Sequence, residues 1–530
     1  MPIATRLRPV RALGLSLLLL SATALTGVPG TVAEAQTLVI AAPTVPEGFD
    51  GDALRPGTQE VVTQVYEPLF VYGRVERDGR EYLDPSVIEP HLAESYTVSD
   101  DGRTVVIKLR EGVTSPFGNE LTAEDVEWSW NKSFDQKRTG NFIARVANVE
   151  SVEAISQYEV QFNLGAPSSI FLSALTLYVP GIYDSTEVKK HATEADPWAL
   201  EWLNANTAGF GAYHLTQLRP DEMAVFDVNP NYFGDAPHFK RVLYREVPSA
   251  ASRATLLLSG QAQWIDRPSI QQVVDLQGDA RVKVEDSPGR AMVAARMSPA
   301  VEPFDDVRVR QALNYAIDRE ELMESVLRGT GDIGDSLVPP IVDGYDPSFF
   351  EYQYDPQKAK AMLAEAGYPD GFEVELLYSD LWWWLEPFSI QLADQLGEIG
   401  VTVSPTRITG SDMRSRGAPA VSDMPFFVFE DGPIVLDPVY TFFLLAHTEG
   451  VSNRMKYSNA ELDALIDEAR QTLDRDKRLE LMAEAQRIWM EDSPWIVVAY
   501  PRVFEAMAPG ITGWVPHPDD HERWSDLRME

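Results

Sequence analysis

Between Pro303 and Leu327 the apolar side chains Val309, Leu313, Ala316, Ile317, Met323 and Leu327 recur at three- and four-residue spacing. Near 3.6 residues per turn this places them on one face, so the run predicts a helix that buries that face against other elements. Arg310, Arg319 and Glu320 fall on the other side and are expected in water.

What surrounds the helix alternates between two periods. Val105, Ile107 and Leu109 alternate with polar neighbours after the turn Asp100-Asp101-Gly102, and Tyr158, Val160, Phe162 and Leu164 do the same, so both predict strands with one buried face. Between them Thr122-Ala123-Glu124-Asp125 has the form of a capping box opening a helix, with Val126 and Trp130 one turn apart. Leu38 to Ala41 reads as a short buried strand followed by a Pro- and Gly-rich loop from Thr44. Further on, Asp355 caps a helix with Pro356 at its first position and Gly367 at its end. A strand from Phe372 to Tyr378, a helix from Leu385 to Ile399, a strand from Val401 to Ile408 and a helical pair from Ser458 to Met490 follow. Strands alternating with helices predict an α/β fold.

The first residues give a destination. Arg6, Arg8 and Arg11 precede an apolar run from Leu13 to Leu25, and Ala33-Glu34-Ala35 offers small residues for a signal peptidase, so residues 1–35 are expected to be a signal peptide cut before Gln36. No later stretch is apolar for long enough to predict a membrane span. The chain has no cysteine, which leaves no disulfides and no lipid attachment of the usual lipoprotein type. Its 81 acidic against 45 basic residues give a net charge of −36, and no basic run stands out, so phosphate backbones are excluded as partners.

Several apparent motifs fail on context. Gly329, Gly331 and Gly334 fit G-x-G-x-x-G but follow a helix where a dinucleotide site needs a strand, and they read as a helix stop and loop. The seven histidines are scattered without H-E-x-x-H, and no G-x-S-x-G elbow occurs, so metal, cofactor and nucleophile chemistry have no support.

One ordered set of short segments does carry weight. Tyr66-Glu67-Pro68-Leu69-Phe70, Leu92-Ala93-Glu94, Leu109-Arg110-Glu111-Gly112-Val113, Leu121 to Val126, Gly209-Phe210-Gly211-Ala212-Tyr213, Asn229-Pro230-Asn231-Tyr232, Phe304 to Asp318, Ala364 to Tyr368 and Ile399-Gly400-Val401 follow one another over the chain. In order and spacing the set closely resembles the periplasmic solute-binding proteins of the peptide/nickel family, the receptors of ABC importers. The resemblance implies a two-lobed α/β fold with a hinge and a discontinuous first lobe. Residues 36–288 would form lobe I, with a β-rich subdomain at about 75–205, residues 289–495 lobe II, and 496–530 a return to lobe I. Crossings are expected near Ser287–Ala291 and Pro494–Tyr500, the latter as a strand re-entering lobe I. It further implies a monomer that captures a peptide-like or other small polar solute in the periplasm, without cofactor or catalysis, and passes it to an inner-membrane permease. An oligosaccharide or metal-chelate receptor of the same fold, or a secreted hydrolase, are the alternatives.

The resemblance also points to ligand residues. Dipeptide-binding relatives place a carboxylate-clamping Arg shortly after the strand that corresponds to Phe372–Tyr378, and here Trp382-Trp383-Trp384 stands in that place. If the run were extended, Trp382 and Trp384 would face one side and Trp383 the other, offering flat faces for rings, sugars or cations. Asp431 falls where the relatives hold a ligand amino group. Arg414, with Arg416, could replace the missing clamp, and Thr44 and Tyr66 are expected from the opposite lobe by analogy.

Overall fold

The computed structural model describes residues 37–53, 57–382, 384–418, 423–517 and 519–530. The expected signal peptide and Trp383 lie outside the described residues.

Two sheets organise the chain. The first runs Lys283–Ser287, Val503–Met507, Trp264–Ile265, Thr37–Ala42, Arg241–Glu246, Met223–Val228, Tyr213–Arg219, and the second Gly331–Ile333, Trp495–Pro501, Met292–Met297, Phe426–Asp431, Glu373–Ser379, Thr402–Ile408. They form the centres of two lobes. A four-stranded antiparallel sheet, Ala93–Val98, Thr104–Leu109, Glu159–Leu164 and Val149–Ala154, and a hairpin, Phe70–Arg77 with Arg80–Pro90, extend the first lobe. The strand Thr104–Leu109 buries every second residue, as its period demands. Helix Ala123–Gln136 opens with the Thr122/Asp125 capping box and packs Trp130 edge-on against Phe162, ring centres 5.5 Å apart.

That helix also anchors the extension to the main sheet. Lys132 is fully buried and its Nζ donates to Asp50 Oδ1 at 2.7 Å, while Tyr183 Oη donates to the same oxygen at 2.5 Å. Burial works upward on Asp50, but Lys132 and the two hydrogen bonds outweigh it and hold the carboxyl below the usual carboxylate range.

The helix expected over residues 303–327 is two helices, Val307–Tyr315 and Arg319–Leu327, capped by Asp306 and Asp318. The apolar stripe is buried as expected, and Glu320 is exposed, but Arg310 and Arg319 are buried rather than wet. Their guanidinium groups donate to backbone carbonyls of the neighbouring segment. Arg310 Nε donates to Asp492 O at 2.8 Å, at the end of helix Arg475–Asp492, and Arg319 Nε donates to Val497 O at 2.8 Å. Asn314 Nδ2 donates to Trp495 O at 3.1 Å, so the segment Phe304–Asp318 pins one strand of the second sheet.

That strand, Trp495–Pro501, corrects the expected boundary. It does not re-enter the first lobe, but pairs antiparallel with Met292–Met297 inside the second sheet, and the chain returns only at Arg502. The two connections lie side by side, and a Cβ on Gly289 would fall 2.1 Å from Pro501 O, so only glycine permits the approach. The glycines after Arg319–Leu327 read as a stop and loop; Arg328 and Gly329 do stop it in left-handed conformations, and Gly331–Ile333 adds a short strand beside Ala499–Pro501.

Candidate functional site

Strand direction decides which loops face the space between the lobes. In the second sheet Glu373–Ser379 runs parallel to both Thr402–Ile408 and Phe426–Asp431, and Met292–Met297 runs against Phe426–Asp431 and Trp495–Pro501. Both connections therefore meet this sheet at the edge where its parallel strands end. In the first sheet Thr37–Ala42 is parallel to Arg241–Glu246 and Trp264–Ile265, while Val503–Met507 opposes Trp264–Ile265 and Lys283–Ser287. The same geometry follows, so the carboxyl ends of the two sheets face each other. Ligands of open α/β sheets bind outside the carboxyl ends of strands.

Four of the residues expected to bind ligand lie at these edges. Thr44 follows the strand Thr37–Ala42 and donates its hydroxyl to Val45 O at 3.1 Å. Trp382 follows Glu373–Ser379, Asp431 ends its own strand, and Arg414 lies exposed on helix Gly410–Arg416, which follows Thr402–Ile408. Tyr66 is different. It is 1% exposed, its Oη donates to Phe49 O at 3.0 Å, and its ring lies 4.6 Å from that of Tyr183, so it belongs to the interior of the first lobe.

Trp382 and Trp384 lie not in a strand but at the entry to helix Leu385–Glu398, with Trp384 as its N-cap residue. Trp382 and Trp384 stack at 6.1 Å with 28° between planes, Trp384 is 6% exposed, and Trp382 stays half-buried with its ring edge-on to Phe429 at 5.5 Å. The first ring offers surface and the second fills the core.

Asp431 is already engaged. Arg296, 0% exposed near the end of strand Met292–Met297, places Nη2 3.3 Å from Asp431 Oδ2 and its guanidinium 3.8 Å from the Trp495 ring centre and 5.4 Å from that of Phe429. Burial pulls Arg296 down to about 10, against the Asp431 carboxylate. Among the described residues Arg296 Nε and Nη1 have no hydrogen-bond partner, so the aromatic faces and Asp431 are what hold this charge. A single arginine inside the apolar run Ala291 to Met297 was the sequence signal for it.

Next to Asp431 the lobes meet through charge. Arg290, in the first connection, sets Nε 2.9 Å from Asp520 Oδ2 of the first lobe, and its Nη1 donates to Gly432 O of the second at 3.4 Å. Arg502, in the other connection, reaches Asp286 Oδ2 of the first lobe at 2.5 Å and Asp332 Oδ2 of the second at 2.9 Å. Burial, and next the Asp520 carboxylate, push Glu430 up to about 8, while Arg290 pulls the other way. Leu436 N donates to Tyr72 Oη at 3.1 Å, a direct contact across the lobes. Two cavities have walls from both lobes: one of about 360 Å³ between Tyr96, Val105 and Leu473, and one of about 630 Å³ between Tyr82, Pro288 and Tyr345. Among the described residues no group of three or more His, Asp or Glu is placed to hold a metal ion.

Comparison with known proteins agrees with this architecture. The family described as bacterial extracellular solute-binding proteins, family 5 Middle, matches residues 87–453. The chain is 27% identical over 517 residues to heme-binding protein A of Haemophilus influenzae, covering 93% of this chain and 92% of that one. It is 27% identical over 526 residues to the dipeptide-binding protein of Escherichia coli, covering 94% and 95%. The solved structure of HbpA2 from Haemophilus parasuis superposes with a TM-score of 0.82 at 22% identity, over 93% of this chain and 100% of that one. The chain belongs to the bacterial extracellular solute-binding proteins of family 5.

Proposed function

We propose that this chain is an exported, monomeric receptor of an ABC importer that encloses a small peptide-like solute between its two carboxyl edges and presents it to a membrane permease without altering it. The observation that carries this reading is that both interlobe connections enter at the carboxyl ends, so the Thr44 loop and the loops of Trp382 and Asp431 face one another across the gap. A solute touching both edges favours the closed form, because only closure makes both sets of contacts. The dipeptide-binding relative supports a peptide-like ligand. The test is mass spectrometry of what co-purifies from the periplasm, followed by scattering with that compound. The expected result is one solute per chain and a smaller radius on binding. A radius unchanged at saturation, or conversion of the solute, would overturn it.

A second reading is a flat, ring-bearing solute such as an oligosaccharide or a metal chelate. The half-buried Trp382 ring beside Phe429 favours it, as does the internal compensation of Asp431 by Arg296, and the heme-binding relative supports the chelate form.

A further inference from the structure

Outside the connections the lobes touch again at Arg470, in the last turn of helix Ala460–Gln471 of the second lobe. Its carbonyl oxygen, one of those a helix end leaves free, accepts Ser169 N–H of the first lobe at 2.8 Å. Its Nη2 donates to Asn148 Oδ1, also of the first lobe, at 3.1 Å.

Each half of this contact is held in place by its own lobe. On the second, the Arg470 guanidinium lies 3.8 Å from the Phe443 ring centre and its Nη1 3.7 Å from Asp467 Oδ1. On the first, Asn148 adopts a left-handed backbone (φ 59°), its carbonyl accepts Gly165 N–H at 2.9 Å, and its Nδ2 donates to Pro167 O at 3.3 Å, which fixes where Oδ1 points. Two pre-oriented partners lose little freedom when they meet, so more of the bond energy remains to favour the joined state.

We infer that Arg470 is a closure latch, a positioning residue that stabilises the closed form through Asn148 and Ser169 without touching the solute. The inference rests on the receptor reading above. Because its bonds form only when the lobes are together, the latch adds the same increment to closure whatever solute is bound, and so sets how much solute contact is needed for capture.

The chain has no cysteine, so Ser95→Cys and Asp394→Cys, both exposed and one in each lobe, can carry a dye pair for single-molecule energy transfer. Arg470→Gln removes the charged donor. Asn148→Gly removes the acceptor while keeping the left-handed backbone, and carries the test if the first variant does not fold. Both leave the Ser169 bond in place. The closed-to-open ratio is expected to fall by about tenfold in each, the size of a hydrogen bond to a charged group. With an equimolar dipeptide mixture as probe, the closing midpoint should rise by about the same factor. Identical behaviour of wild type and both variants, with and without the mixture, would overturn the latch. A wild type that never responds to the mixture while the variants still open further would instead overturn the peptide-receptor reading and leave the latch standing.

Discussion

Arg296 and Asp431, 135 residues apart in sequence, meet through their side chains at 3.3 Å along two paired antiparallel strands of the second sheet, although Arg296 stands opposite Phe427 and Asp431 opposite Met292. The arginine has no exposed surface, and among the described residues Asp431 is the carboxylate that offsets its burial, so the pair also orients Asp431 at the interlobe edge. A ligand amino group approaching Asp431 meets a carboxylate that is already paired.

Asp431→Asn should therefore lower stability as well as alter binding. Removing one member of a buried pair leaves the other uncompensated, at a cost of about 3 kcal/mol. Urea denaturation should show that loss, and the double variant Arg296→Met with Asp431→Asn should regain most of it. A wild-type midpoint for Asp431→Asn alone would mean that the pair contributes nothing.

Trp382 and Trp384 should separate. Trp384→Ala empties part of the core and should cost about 3–5 kcal/mol of stability. Trp382→Ala removes a half-buried ring, so the fold should persist while affinity for the co-purified solute falls by about 1–3 kcal/mol, the scale of stacking on an aromatic face. Calorimetry and melting curves on the two variants decide this, and unchanged affinity for Trp382→Ala would assign that ring to packing alone.

Lys132→Met should be among the most damaging changes in the first lobe. It strands Asp50 in the interior with Tyr183 as its main remaining side-chain donor, at a cost of about 3–5 kcal/mol. The expected outcome is a large drop in the urea midpoint. A drop confined to a few tenths would show that Tyr183 suffices to hold the carboxylate.

Stability should decline as pH rises from about 5 towards 8. Burial, with Asp520 beside one and Asp266 beside the other, pushes Glu430 up to about 8 and Glu522 up to about 7. An acid raised in the folded state contributes stability that is complete below its ordinary value of 4.5 and is lost as pH rises through the folded value. The melting temperature should fall from about pH 5 to about pH 8, and Glu522→Gln should flatten the fall below about pH 7. A profile that rises over that range would contradict the assignment.

Much of the architecture was readable because it is written in neighbouring residues. Capping at Thr122/Asp125 and Asp355-Pro356, alternation along Thr104–Leu109, and the apolar stripe of 309–327 depend on spacings of two to four residues, which survive without knowledge of the fold. The ordered short segments carried the family for the same reason. Tertiary structure alone decided where those pieces meet. Arg310 and Arg319 looked solvated because a charge on the polar side of a helix normally is, yet carbonyls from residues 492–497 were waiting beside them. Pro494 to Pro501 looked like a strand, but no local pattern states whether Met292–Met297 or the first sheet will pair with it. Trp382 and Trp384 differ in exposure because Trp384 belongs to the buried cluster of the second lobe while Trp382 is only partly buried against it, and Asp431 is compensated because sheet pairing brings the strand of Arg296 beside its own.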